Sequence, residues 1–188
     1  MDINKALLKL HSLLEGWGLD EKDYVLVDEF AYFLQDYNLE GPEIKLKHLD
    51  LYVVGEKLPW DIKDERSTIP PNNTPYMRNY EYFMRGTGYS LDLLVANPTI
   101  MGSKKVMYKL TDEISFPLME TEAMTQQFVD HTLLHYSLED VGEHKIKEWF
   151  SKLTKLNQLA KDRNDKKLIK LSEELILKVQ THWGKLLA

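Results

Sequence analysis

The sequence predicts an α+β domain: a small mixed β-sheet packed by helices, followed by a helical C-terminal region. Three observations lead there. Leu46–Val54 alternates, with Leu49, Leu51 and Val53 on one side and His48, Asp50 and Tyr52 on the other, which is the period of a strand. Tyr24–Val27 and Tyr89–Val95 are short apolar runs rich in residues that favour strands. Before the first of these runs and after Glu120, apolar residues recur at three- and four-residue spacing, the period of an amphipathic helix.

Taken in order, residues 3–16 place Ile3, Ala6, Leu7, Leu10, Leu13 and Leu14 on one helical stripe, ended by Gly16 or Gly18. After the strand Tyr24–Val27, Glu29–Tyr37 is helix-like, with Phe30, Phe33 and Leu34 as its apolar side, and Gly41-Pro42 breaks the chain before the next strand. Gly55–Asn79 carries Pro59, Pro70, Pro71 and Pro75 with Asn72 and Asn73, and is expected to be a long irregular loop pinned by Trp60 and Tyr76. Tyr89–Val95 is the third strand, ended by Asn97-Pro98. Lys105–Leu110 and Glu113–Pro117 are expected to form a hairpin about Thr111-Asp112. Thr121 is placed to cap a helix running to about Tyr136, Ser137 to cap a second with Trp149, Phe150, Leu153 and Leu156 buried, and Asn164 to cap the last. The division expected is an α/β core over 1–120 and a helical region over 121–188 packed on it as one structural unit.

Composition narrows the classes. At 188 residues one good core is expected, and no apolar run approaches the ~20 residues that span a bilayer. Nothing at the N-terminus has the uncharged core of a secretory signal, so a cytoplasmic protein is expected. With no cysteine there is neither disulfide nor thiolate ligand, while His/Asp/Glu metal sites stay open. A net charge of −6 gives no strong nucleic-acid signature. Basic residues outnumber acidic ones from Asp140 onward, which reads as a solvated helix surface and leaves the C-terminal helices as an expected protein or self-association surface.

Two strands each carry a carboxylate in an apolar setting, Asp50 and Asp92. A carboxylate inside a sheet costs several kcal/mol to desolvate unless it is paired, hydrated or bound to a cation. If the two strands are neighbours, Asp50, Asp92 and His48 converge on one face, a set able to bind Mg²⁺, Mn²⁺ or Zn²⁺. The bland alternative puts all three toward solvent on a one-sided sheet. Lys104 and Lys105, after Gly102-Ser103, can neutralise a phosphate near Asp92 or simply sit in a surface turn. His131 and His135 have the i,i+4 spacing of a metal pair but lack the glutamate of the hydrolytic zinc motif, and solvent-facing or core histidines explain them better.

The order strand, Asp28-Glu29, helix, strand with His48-Leu49-Asp50, then a strand with Asp92, resembles the minimal nucleotidyltransferase-like fold of the DNA polymerase beta-like superfamily, including its antitoxin-system relatives. In that family a Gly-Gly or Gly-Ser turn follows the first strand, an Asp-x-Asp pair lies on the second and a further carboxylate on the third. The resemblance covers most of the chain. It implies that Asp50 and Asp92 are metal ligands and that His48, in the place of the first aspartate, is a ligand or base. It further implies Mg²⁺ or Mn²⁺ and a nucleoside triphosphate as cofactors, with Lys104 and Lys105 as phosphate contacts. The activity implied is metal-dependent transfer of a nucleoside monophosphate to a hydroxyl acceptor. Asp28-Glu29 in place of the glycines and His48 in place of an aspartate depart from the pattern, and negative charge at the turn opposes a polyphosphate. The alternatives are a non-catalytic binding or protein-interaction module on the same fold, and a generic α+β domain with Asp50 and Asp92 on unrelated surfaces.

Overall fold

The computed structural model describes residues 2–39, 48–54, 57–59, 67–68, 76–96, 98–134 and 138–187. The expected break at Gly41-Pro42, most of the loop around Trp60, and His135 and Ser137 lie outside the described residues.

Helix α1, Ile3–Gly16, is capped by the Asp2 carboxylate, which accepts from the Lys5 amide at 3.2 Å, and it buries Ala6, Leu7, Leu10 and Leu14 as its spacing requires. β1 is Tyr24–Val27, and α2, Asp28–Leu34, follows it without an intervening loop. β2 is His48–Val53 and β3 is Ser67–Thr68. β4, Tyr76–Met84, and β5, Tyr89–Ala96, form an antiparallel hairpin whose turn contains Gly86 and Gly88 at φ 84° and 78°, a backbone that glycine adopts without strain. A short helix α3, Pro98–Met101, leads to the hairpin of β6, Lys105–Lys109, and β7, Ser115–Met119.

The chain ends in helices. α4, Thr121–Gln127, winds into a π-helical turn over Phe128–Leu133. α5, Leu138–Asp162, is interrupted at Gly142, whose backbone is not helical, and α6 is Lys166–Leu187. No helix among the described residues is long and apolar enough to cross a membrane.

The fold is α+β around one mixed sheet of order β3-β4-β5-β2-β1-β7-β6. The parallel pair β2–β5 is central, β1 runs antiparallel to β2, and β7 runs parallel to β1. The register Leu49↔Leu91, Leu51↔Leu93 and Val53↔Val95 stacks apolar rows on one face, with all but Val95 fully removed from water. Met124, Leu156, Ala160 and Leu168 from the C-terminal helices join this core. A satellite cluster of Val129, Leu133, Leu153, Leu175 and Val179 holds the same helices together, flanked by Phe128, Trp149, Phe150 and Trp183.

Residues 55–79, expected as an irregular loop, contain β3 and the start of β4. The reason is long-range: β4 is held along nearly its whole length by β5, and pairing outweighs local turn propensity. Two expected caps also differ. Asn164 has φ 55° and ends α5, while the Asp165 carboxylate accepts from the Leu168 amide at 3.1 Å and caps α6. At α4 the Thr121 amide and hydroxyl donate to Gln35 Oε1, so a side chain from the end of α2 serves the helix start.

Candidate carboxylate site

The register that stacks leucines on one face of β2–β5 puts polar rows on the other: His48↔Ser90, Asp50↔Asp92 and Tyr52↔Leu94. Asp50 and Asp92 are therefore neighbours on one face of two parallel strands, close enough for each to act on the other's ionisation. The row continues to Glu81 on β4 beyond Asp92 and to Val27 on β1 beyond Asp50. Immediately after Val27 the chain turns into α2, and Asp28 makes that turn with φ 59°, a left-handed backbone that costs a non-glycine residue about 1 kcal/mol. That strained turn aims Asp28 and Glu29 back at β2. Among the described residues, ligand atoms of Asp28, Glu29 and Asp50 all lie within 4.8 Å of one another.

Four carboxyls in so small a space cannot all stay ionised without counter-charge. Burial, then the charges of Asp28, Asp92 and Glu29, pushes the Asp50 carboxyl well above its ordinary value. Asp28 is pushed up to about 8 by desolvation and by Glu29, although it keeps an open side to water, which tempers the rise. Asp92 is raised by burial, and His48 offsets part of that rise. Glu29 moves the other way. Burial acts to raise it, but the Lys152 ammonium and the hydrogen bond from Asp28 outweigh burial and hold it low. Within the cluster Asp28, Asp50 and Asp92 are thus all held above their ordinary values, and Glu29 alone is held below its own.

Lys152 arrives from α5, ion-paired with Glu29 and, at 3.2 Å, with Glu148 one turn earlier on the same helix. Beside these groups a cavity of about 20 Å³, walled by Leu153 and Leu156, has room for one water. The polar face is also pressed by α4, whose Gln127 Nε2 donates to the Tyr52 hydroxyl at 2.9 Å. The cluster lies between the sheet and the C-terminal helices, with Asp28 exposed at its edge.

The sequence-derived candidates divide. Asp50 and Asp92 come together. His48 lies on the same face in the next row, exposed, with Nδ1 2.5 Å from the Ser90 hydroxyl, and it is not part of the three-residue ligand set. Lys104 is ion-paired with Glu120, and Lys105 lies on β6, four strand spacings or ~19 Å across the sheet from β5. Neither lysine accompanies Asp92. Among the described residues the cation paired with the cluster is Lys152, which no local motif marks, and the further acids are Asp28 and Glu29. His131 lies in the π-helical turn, where Asp130 is bound by Lys178 at 2.6 Å.

No family model matches the chain, and neither does any curated protein or solved structure. The donor set itself is all oxygen, which suits Mg²⁺, Mn²⁺ or Ca²⁺ over softer ions. Ligand distances of about 2.1–2.5 Å let one ion bridge oxygens up to about 5 Å apart, so the spread of Asp28, Glu29 and Asp50 fits such an ion.

Proposed function

We propose that this chain is a nucleotidyltransferase-like protein in which Asp50, with Asp28, Glu29 and Asp92, holds Mg²⁺ or Mn²⁺ against the phosphates of a nucleoside triphosphate. The observation that carries the reading is the meeting of Asp50 and Asp92 in register on the central strands, with Asp28 and Glu29 turned toward Asp50 from the strand-to-helix corner. The left-handed backbone of Asp28 supports the same reading, since the related fold places glycine at that corner. A bound divalent ion supplies charge neutralisation and activation of an attacking hydroxyl. The chain's own residues orient the ion, with Asp92 braced against Asp50 and Glu29 against Lys152. The small cavity beside Glu29 is too tight for a base or sugar, so a nucleotide would lie outside it, on the exposed part of this face.

A second reading is a non-catalytic binding module, and Lys152 is the observation that favours it, because a built-in ammonium already neutralises part of the cluster. Isothermal titration with ATP, CTP, GTP and UTP, with and without Mg²⁺ or Mn²⁺, separates the two. The expected result is nucleotide binding that requires the divalent ion and is lost in the Asp50→Ala, Asp92→Ala double variant. Absence of any nucleotide binding at millimolar concentration would overturn the transferase reading in favour of the binding module.

A further inference from the structure

The ammonium of Lys152 reaches the carboxylate cluster from 123 residues away in sequence, and its side chain is only 20% exposed. Withdrawn that far from water, an ammonium requires anionic partners, and Glu29 and Glu148 provide them from two different elements. Glu29 is also one of the three residues whose oxygens can share an ion. One carboxylate is thus within reach of two positive charges, one covalently fixed to α5 and one from solution.

We infer that Lys152 is the resident cation of this cluster, standing where a second divalent ion would otherwise balance Glu29, so that the site takes one divalent ion rather than two. The inference rests on the reading above that Asp50 and its neighbours bind a divalent ion. Its physical basis is proximity. A second ion on Glu29 would sit beside the ammonium, and like charges a few ångströms apart in a partly dry site repel strongly. The helical scaffold makes displacement difficult, because Lys152 lies between Trp149, Phe150, Leu153 and Leu156, which pack into the satellite cluster and the main core. A lysine acting only as a tie between helix and sheet would leave metal stoichiometry untouched.

The test is Mn²⁺ alone, titrated into the full chain and counted by calorimetry and by the loss of the free-ion electron spin resonance signal. Lys152→Met keeps the length and apolar stem of the side chain and removes its charge. Wild type is expected to bind one ion, Lys152→Met to bind two or to bind the first about tenfold tighter or more, and Lys152→Arg to behave as wild type. Unchanged stoichiometry and affinity in folded Lys152→Met would overturn the inference while leaving the divalent site in place. No ion in wild type, whether or not Lys152→Met binds one, would overturn the inference together with the metal reading on which it rests. Should circular dichroism show that Lys152→Met does not fold, the other two chains decide: two ions in wild type or in Lys152→Arg would overturn the inference.

Discussion

The two faces of the β2–β5 pair are built from alternating residues of the same two strands, yet they obey opposite energetics. On one face Leu49, Leu51, Leu91 and Leu93 are wholly withdrawn from water, and every methylene there adds stability, about 0.8 kcal/mol when fully buried. On the other, Asp50 and Asp92 occupy the rows between those leucines, crowded by Asp28 and Glu29, and their ionisation works against the folded state. The apolar face explains why the sheet exists. The acidic face exists despite its cost, and such exceptions to local consistency concentrate at functional sites.

The contrast breaks most visibly at Leu51. Leu51→Ala leaves a cavity at the centre of the sheet and is expected to cost about 2–5 kcal/mol in chemical denaturation. A loss below about 1 kcal/mol would mean that this face is not the packed core.

The acidic face sets the pH response. Asp28, Asp50 and Asp92 have folded-state values above their ordinary ones, so these three groups hold more protons in the native protein than in the unfolded chain from pH 3.8 upward, Asp28 up to about 8. Their contribution to stability is fully present below 3.8 and lost as pH rises through that window. The groups held low, among them Asp23, Glu29, Glu148 and Asp165, act below it: their stabilisation is present above their ordinary values and lost in acid. The melting temperature of the metal-free protein is therefore expected to fall between about pH 5.5 and 8, and Asp50→Asn to flatten that fall. A melting temperature that climbs over the same range in metal-free buffer would contradict the crowding of these carboxyls.

A smaller effect sharpens the comparison at the covered end of the acidic face. Tyr52→Phe removes the hydroxyl that accepts from Gln127 and is expected to cost about 1 kcal/mol by denaturant unfolding. No measurable loss would place α4 less firmly on the sheet than the hydrogen bond implies.

Much of this was legible in the sequence wherever a local period expressed it. The alternation of β2 named both faces, and the stripe of α1 matched its buried residues. β4 was hidden for two reasons. Prolines and asparagines precede it, and Phe83, 61% exposed, disguises the alternation in which Tyr80 and Met84 are the buried residues. At the site, Asp50 and Asp92 stood out as carboxylates inside apolar strands. Asp28 and Glu29 were visible too, as departures from the glycines of the family pattern the sequence was compared with, but their place in the cluster depends on a backbone turn that sequence does not display. Lys152 had no local signal at all. Its spacing from Glu148 is that of any exposed helical ion pair, and only the packing of α5 brings it to Glu29.

In the proposed divalent-ion site Asp50 is the anchor, and a bound ion would displace the proton that crowding favours there. The most direct test of this proposal is calorimetric titration of Mn²⁺ into wild type and Asp50→Asn at about pH 7.5, in two buffers of different ionisation enthalpy. The expected result is saturable binding to wild type with release of at least about one proton, weakened tenfold or more in the variant. Equal binding by the two proteins, or binding to wild type without proton release, would contradict it.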